Sequence, residues 1–132
     1  MTAGGMIKAA VCAAAALVFA ACSSGDPPVW LVPGGNPQQG KQLIRAYGCG
    51  ACHRIPGIRT ARGLVGPPLT LYGRRTVIAG ELPNTPDNLI RWIQHPKAIE
   101  PHNAMPDLGL TRQQAADIAA YLYTLTGGSR GH

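Results

Sequence analysis

The sequence predicts an all-α fold, in which three main helices are joined by long loops. Three segments carry apolar residues at helical spacing, and each is bounded by residue types that begin and end helices. No segment alternates apolar and polar residues as a strand would. Loops 54–84 and 96–110 are rich in glycine and proline. Loops of that length in a small domain argue either against this assignment or for a large object around which they wrap.

The first predicted helix begins after Asn36, a favoured N-cap residue, and Pro37 suits the first helical position. Gln39 stands three residues after the cap, where a capping box uses Glu or Gln. We expect the helix to stop at Gly48, because glycine readily adopts the left-handed conformation that closes helices. Its apolar residues are Leu43, Ile44 and Tyr47.

The other two predicted helices also have recognisable ends. The second begins after Thr85 and must end before Pro96, since proline excludes the helical conformation from the residue that precedes it. The third begins at Thr111, with Gln114 in position for a capping box, and is terminated by glycines 127–128. The second carries Leu89, Ile90, Trp92 and Ile93, and the third carries Ala115, Ile118, Leu122 and Leu125.

The N-terminal segment has the features of a signal peptide of the lipoprotein type. Lys8 precedes a mostly apolar run over residues 9–21, which is shorter than the roughly 20 residues that a membrane-spanning helix needs. Small residues then precede Cys22, as in the lipobox of bacterial lipoproteins, where the cysteine receives lipid. The alternative is an ordinary secretory signal, with Cys22 as a bystander. We expect residues 1–21 to be removed, and the exported protein to be lipid-anchored at the periplasmic or outer face of a bacterial membrane.

Residues 22–36 are expected to form a flexible tether between the lipid and the folded domain. They are rich in serine, glycine and proline and show no helical or strand period. Trp30 is unusual in such a segment, and it either packs back on the domain or lies at a membrane interface, where tryptophan is favoured. At the other end, residues 127–132 are expected to be a flexible tail.

Cys49, Cys52 and His53 form the most informative pattern, Cys-Gly-Ala-Cys-His. Two cysteines separated by two residues and followed by histidine are the attachment signature of a c-type haem. Each thiol adds across one vinyl group of the haem, and the histidine supplies a nitrogen ligand to the iron. Small residues between the cysteines leave room for the haem edge. The pattern therefore predicts one covalently bound haem c.

Three other interpretations of this pattern compete with haem attachment. A disulfide of the thioredoxin type expects a strand before it and a sheet around it, and the sequence indicates neither. A zinc site requires two more Cys or His ligands at short spacing, whereas His95, His102 and His132 are scattered. Chance spacing without function is the third. Predicted export, the position of the motif and the size of the domain all favour haem.

Met105 is the candidate for the second axial ligand of the iron. The other methionines lie in the predicted signal peptide, and Met105 lies in a polar loop bounded by proline, where core filling explains it poorly. A thioether opposite His53 favours reduced iron and raises the reduction potential, which suits electron transfer. His95 and His102 are rival ligands, and His102 lies close to Met105 in the sequence.

Over residues 37–126 the chain resembles the class I cytochrome c family. That family has an N-terminal helix, the haem motif, a Gly-Pro-x-Leu stretch, a middle helix, a Met-Pro loop and a C-terminal helix, and all six occur here in order. Residues 66–69 supply the Gly-Pro-x-Leu stretch as Gly-Pro-Pro-Leu. The resemblance implies a small cytochrome c-like fold wrapped around one haem. The exit of the methionine loop, residues 108–110, looks like that of bacterial cytochromes, including domains fused to some terminal oxidases.

The resemblance also implies roles for individual residues near the haem. The carbonyl of Pro67 would accept a hydrogen bond from the ring N–H of His53, which orients a ligating imidazole and tunes its basicity. Leu69 would pack on the haem face. Arg74 would approach a haem propionate. Trp92 would bond the same propionate or serve only in core packing.

At the crossing of the terminal helices, the resemblance points to Gly40 and Tyr121. They are similar to the small-on-aromatic pair through which the first and last helices of this family pack closely. The first and last predicted helices would therefore touch, and the haem motif would follow directly after that crossing.

Basic residues are concentrated in the half of the chain that holds the haem motif. Residues 27–80 contain no acidic residue and seven basic ones, namely Lys41, Arg45, Arg54, Arg59, Arg62, Arg74 and Arg75. A patch of one sign near a redox centre steers an oppositely charged partner, although a solvated face that aids solubility is the simpler interpretation. We expect a membrane-associated redox partner with an acidic docking surface. Nucleic acid is not expected, because the protein is predicted to be exported and its basic residues are not interleaved with stacking aromatics.

These features predict a one-electron carrier without catalytic residues or a small-molecule substrate. The iron would cycle between its ferrous and ferric states with both ligands in place, while electrons pass between redox proteins at an exported membrane surface. One alternative is a haem subunit of a larger membrane oxidoreductase. The other is a haem enzyme or gas sensor with an open sixth coordination position.

Overall fold

The computed structural model describes residues 31–127, and this part of the chain is all-α apart from one small hairpin, as predicted. Its α-helices are α1 (Pro37–Ala46), α2 (Pro86–Gln94), α3 (Pro96–Ile99) and α4 (Arg112–Tyr123). Single 3-10 turns occupy Cys49–Ala51 and Tyr72–Arg74. The predicted signal peptide, Cys22, Trp30 and the predicted tail beyond residue 127 lie outside the described residues.

Asn36 caps α1 as predicted, but the expected capping box with Gln39 is not formed. The side chain of Asn36 accepts hydrogen bonds from the backbone N–H groups of Gln38 and Gln39, each at 3.0 Å. The N–H of Asn36 donates instead to the carboxylate of Asp117 on α4, at 2.8 Å. The beginning of α1 is therefore fixed by α4 rather than by its own first turn.

The other two main helices begin where the sequence predicts, but α4 ends early. Thr85 caps α2, and Thr111 and Gln114 form a full capping box at the start of α4. The hydroxyl of Thr124 donates to the carbonyl of Tyr121, and the helix stops at Tyr123. The predicted stop at residues 127–128 is therefore wrong, and Leu125 follows the helix instead of lying on it.

Two short elements occur inside the predicted loops. Strands β1 (Val77–Ile78) and β2 (Leu82–Pro83) form an antiparallel hairpin, with Ile78 opposite Leu82. One-turn helix α3 begins at Pro96, immediately after α2. Strands of two residues are too short to show an alternating pattern, so periodicity could not reveal this hairpin.

Helices α1 and α4 cross in direct backbone contact. A Cβ placed on Gly40 would lie 1.9 Å from the carbonyl oxygen of Asp117, so only glycine fits at this position. The atoms nearest to that Cβ are backbone atoms of Asp117 and Ile118, and the expected packing of Gly40 against Tyr121 stays a prediction. The hydroxyl of Tyr121 donates to the carbonyl of Pro56, at 2.6 Å, which ties the loop after the cysteine motif to α4.

The last residues of the predicted tether belong to the folded domain. Val32 is buried in the core, and the carbonyl of Gly34 accepts a hydrogen bond from Gln113 on α4. A Cβ placed on Gly35 would lie 2.8 Å from the carbonyl of Ala116. The flexible part predicted for residues 22–36 thus ends before Val32.

A buried polar link joins α4 to the segment before the hairpin. Tyr123, 1% exposed, donates from its hydroxyl to the side-chain oxygen of Asn84, at 2.9 Å. The amide nitrogen of Asn84 donates in turn to the carbonyl of Arg75, at 2.8 Å. Burial raises the pKa of Tyr123 to about 12, so its hydroxyl remains a donor at neutral pH.

Within residues 31–127, no helix combines the length and the apolar composition that crossing a membrane requires.

Candidate functional site

The Cys-x-x-Cys-His motif lies in tight turns directly after α1. Gly48, with φ of +69°, reverses the chain, and the 3-10 turn Cys49–Ala51 follows. The N–H of His53 donates to the carbonyl of Cys49, at 3.0 Å, so the histidine follows the cysteines without an intervening extended segment. Both thiols are free and half-buried. Two thiols are therefore available for covalent attachment next to an imidazole.

The thiol of Cys49 lies in an apolar environment. It is half-buried and packs against the hydrophobic core. Burial raises the pKa of Cys49 above its usual value, and the neighbouring Cys52 acts in the same direction. Before haem is attached, Cys49 is therefore expected to be a neutral thiol at neutral pH.

The imidazole of His53 is oriented by the segment that contains Pro67. Its Nδ1 lies 2.8 Å from the carbonyl oxygen of Pro67, and since that oxygen can only accept, Nδ1 carries the proton and donates. The other ring nitrogen, Nε2, then has a free lone pair that can bind a metal.

Gly66 lies against the ring of His53, and the sequence alone does not reveal this contact. A Cβ placed there would lie 2.4 Å from Cε1 and 2.7 Å from Nδ1 of His53. The glycine therefore leaves the space that the imidazole occupies. Its place in the Gly-Pro-Pro-Leu stretch was the only available signal.

Residues 63–69 are hydrogen-bonded to residues 50–54, and we call this pair of segments the clamp. The N–H of Gly63 donates to Gly50, that of Gly66 to Cys52, and that of Leu69 to Arg54, at 3.0, 2.8 and 2.8 Å. Gly63 also packs against Ala51, since a Cβ on it would lie 2.3 Å from the carbonyl oxygen of Ala51. The backbone of the motif is thus held on both sides of Cys52.

Two adjacent arginines after the clamp differ in their surroundings. Arg74, the predicted partner of a propionate, is exposed. Arg75 is half-buried, donates from Nη2 to the carbonyl of Pro68, and lies with its guanidinium carbon 5.2 Å from the centre of the Tyr72 ring. Nothing in the sequence indicates that the two arginines differ in this way.

The loop that contains Met105 is held by polar contacts. Met105 is half-buried, and its N–H donates to the side-chain oxygen of Asn103, at 2.7 Å. Lys97 on α3 donates to the carbonyl of Asn103, at 2.9 Å. His95 and His102, the rival ligands, are both exposed.

The remaining site residues lie at the edge of the core. Leu69 and Trp92 are half-buried and pack against the hydrophobic cluster. Between residues 31 and 127, no hydrogen bond joins Arg74, Trp92 or Met105 to the cysteine motif. In the same range, no group of three or more His, Cys, Asp and Glu residues could hold a metal ion.

Comparison with known proteins identifies the family. A family model for cytochrome c matches residues 37–126. The chain belongs to the cytochrome c family. Cytochrome c2 of Rhodopila globiformis is 37% identical over 109 residues, which cover 70% of this chain and 96% of that protein. Cytochrome c oxidase subunit 2 of Alkalihalophilus pseudofirmus is 36% identical over 88 residues, which cover 66% of this chain.

The cytochrome c2 and the oxidase subunits differ in the fraction of their own length that this chain matches. This cytochrome c spans 25% of the Alkalihalophilus pseudofirmus oxidase subunit. It spans 20% of cytochrome c oxidase subunit 2 of Bacillus subtilis, with 31% identity over 70 residues. The likeness to these two oxidase subunits is therefore confined to about a quarter or less of their length.

Membership of the cytochrome c family means that the chain carries a covalently bound haem c and functions in electron transfer. The donor set of the structure fits that cofactor. Cys49 and Cys52 are free thiols at the required spacing, and His53 presents Nε2 while Nδ1 is engaged. The expectation of haem from the sequence is thereby confirmed.

Proposed function

We propose that this cytochrome is a one-electron carrier whose haem iron is bound by His53 and Met105. The observation that carries the proposal is the fixed orientation of His53 beside two free thiols. Haem c supplies an iron that gains or loses one electron. The chain attaches it through Cys49 and Cys52, keeps one proton at Nδ1 of His53, and presents Nε2 to the metal.

Met105 would be the second protein residue to bind the iron, and both its chemistry and its local order support this. Its loop is fixed by Asn103 and Lys97, so the thioether is held by a structured segment. A methionine ligand favours reduced iron and raises the reduction potential, as a carrier requires. His95 and His102 are both exposed. Histidines are common on protein surfaces, so neither residue needs a role as an iron ligand to account for its position.

Side chains around the motif are proposed to exclude water from the haem and to stabilise its propionates. Leu69 and Trp92, both half-buried at the edge of the core, are suited to cover the faces of the ring. Arg74, which is exposed and cationic, is proposed to approach a propionate. Trp92 carries an indole N–H that can donate to the same group.

The proposed partner is a membrane-associated redox protein with an acidic surface. Leu64 and Val65, which we call the apolar tip, are 80% and 76% exposed within the clamp. Arg62 precedes the tip and Arg59 lies three residues earlier, and both are exposed. Apolar residues surrounded by charges of one sign are typical of docking surfaces, where the charges steer the encounter.

We further propose that the protein is exported and reaches a bacterial membrane through lipid on Cys22. This rests on the predicted signal peptide and the small residues that precede Cys22. A mass spectrum of the mature protein checks it, since haem and lipid would add their masses to a chain that begins at Cys22. A mature chain without lipid would contradict the anchor and leave the carrier proposal intact.

The ligand proposal is tested by Met105→Ala, with His102→Ala as the matched control in the same loop. The ferric wild type should show the weak far-red absorption of methionine bonded to iron, and its reduced form should not bind carbon monoxide. Met105→Ala should lose the band and bind carbon monoxide, whereas His102→Ala should behave as wild type. Ready binding of carbon monoxide by the wild type would indicate an enzyme or sensor and contradict the carrier proposal.

A second candidate is a fixed haem subunit of a membrane oxidoreductase. The observation that favours it is the likeness to cytochrome c oxidase subunit 2 in three relatives. Purification from membranes in mild detergent distinguishes the two. A carrier should separate from other proteins as the detergent extract is fractionated, and a subunit should co-purify in constant ratio with the rest of its complex.

A further inference from the structure

Arg75 connects the interior of the protein to the segment that orients His53. Its backbone carbonyl accepts a hydrogen bond from Asn84, at 2.8 Å, and Asn84 is itself held by the buried hydroxyl of Tyr123 on α4. Its guanidinium lies over the ring of Tyr72 and donates to the carbonyl of Pro68. The neighbouring carbonyl, that of Pro67, accepts from Nδ1 of His53.

The two prolines explain why such a donor is needed. Neither Pro67 nor Pro68 has a backbone N–H, so between the clamp bonds of Gly66 and Leu69 this stretch has no donor of its own. Its position can be fixed only through its carbonyl groups or by packing, and both prolines are exposed. Arg75 supplies the donor to the Pro68 carbonyl.

Arginine suits this place better than lysine. The planar guanidinium can stack on an aromatic ring and donate in its own plane at the same time. At Arg75 both contacts are made, one to Tyr72 and one to Pro68. Arg74, one residue earlier, is exposed and carries the same charge.

We propose that Arg75 is a positioning residue for the axial histidine. By fixing the Pro67–Pro68 segment, it holds the carbonyl that accepts from Nδ1 of His53, and so sets the basicity of the imidazole and the reduction potential of the haem. The inference rests on His53 as a ligand, as in the proposed function, but it does not depend on Met105.

The test compares Arg75→Gln with Arg74→Gln in the haem-loaded protein. Both variants remove one positive charge from neighbouring positions, so both should lower the potential through the lost charge. Only Arg75→Gln should also shift the Nδ1–H resonance of His53 in the NMR spectrum of the reduced protein. It should speed the exchange of that proton with water by about tenfold, which corresponds to about 1.4 kcal/mol of lost protection.

Arg75→Lys keeps the positive charge and the ability to donate a hydrogen bond. It keeps the proposal testable if Arg75→Gln fails to fold. It should keep the reduction potential within the range of wild type and give an intermediate exchange rate. If the Nδ1–H resonance and its exchange rate in Arg75→Gln are the same as in Arg74→Gln, the proposal is wrong. Because this resonance reports His53 alone, a failure of Met105 as ligand would appear separately, in carbon monoxide binding.

Discussion

At the scale of single residues, the orientation of the His53 imidazole depends on a hydrogen-bond acceptor in one neighbouring residue and on the absence of a side chain in another. Pro67 provides the acceptor for Nδ1. Gly66 provides space, since any side chain at that position would overlap the imidazole. The orientation of the imidazole therefore depends on a hydrogen bond to Pro67 and on the absence of a Cβ at Gly66.

Gly66→Ala should destabilise the protein by about 1–3 kcal/mol, because the added methyl overlaps His53 and one of them must move. Denaturant unfolding of the haem-loaded protein measures the loss, and the visible spectrum should change with the altered ligation. Gly80→Ala is the control. Its Cβ would meet nothing within 4 Å, so only its φ of +80° costs energy, about 1 kcal/mol, and the spectrum should not change. An unchanged spectrum in Gly66→Ala would show that the imidazole is not held in this way.

The haem motif could be predicted from the sequence because the covalent chemistry fixes both its residue types and its spacing. Cys49, Cys52 and His53 are adjacent in the chain, so no fold is needed to bring them together. The different surroundings of Arg74 and Arg75 could not be predicted in this way. It depends on which arginine meets Tyr72 and Pro68, and only the folded chain decides that.

At the scale of helices and strands, local hydrogen bonds were predictable and distant ones were not. The capping box of Thr111 and Gln114 involves residues three positions apart, and it is present. The N–H of Asn36 was expected to bond within its own turn, and it bonds to Asp117, 81 positions away. Asp117 is buried and also accepts from Gln113, so it acts as a connector between α1 and α4.

Gly40→Ala should separate α1 from α4 and reduce the free energy of unfolding by about 3 kcal/mol. The reason is that the new Cβ would meet backbone atoms of Asp117, which cannot turn aside as a side chain can. Urea denaturation checks the value. Gln42→Ala, an exposed position on the same helix, should change stability by no more than about 0.5 kcal/mol. Equal stability of the two variants would contradict the close crossing.

At the scale of the whole molecule, the basic half of the sequence is also the half that surrounds the cysteine motif. Arg54, Arg59 and Arg62 are all exposed along the chain between the motif and the apolar tip. Between residue 27 and the end of the described part of the chain, the first acidic residue is Glu81. The electrostatic potential near the haem attachment is therefore expected to be positive. A docking partner would be attracted by these charges at long range, before it contacts the apolar tip.

Small redox reagents of known charge test this field without a natural partner. Oxidation of the ferrous protein by anionic hexacyanoferrate should slow several-fold, to about a third or less, as ionic strength rises from about 0.01 to 0.5 M. Reduction of the ferric protein by cationic hexaammineruthenium(II) should become faster instead over the same range. Arg62→Gln should weaken the salt dependence more than Arg91→Gln, which removes an exposed charge from α2. The same salt dependence for both reagents would show that the field near the haem is not positive.

The clamp also has a consequence for the order in which the protein folds. His53 and Pro67 are 14 positions apart, whereas Asn36 and Asp117 are 81 apart. Closing the shorter loop costs about 1.5 kcal/mol less conformational entropy. Contacts of low sequence separation generally form first, so we expect the clamp to precede the crossing of α1 and α4. A nascent chain that has emerged only as far as Leu69 already contains every residue of the clamp. Its cysteine motif can reach its native backbone path while α4 is still to be synthesised.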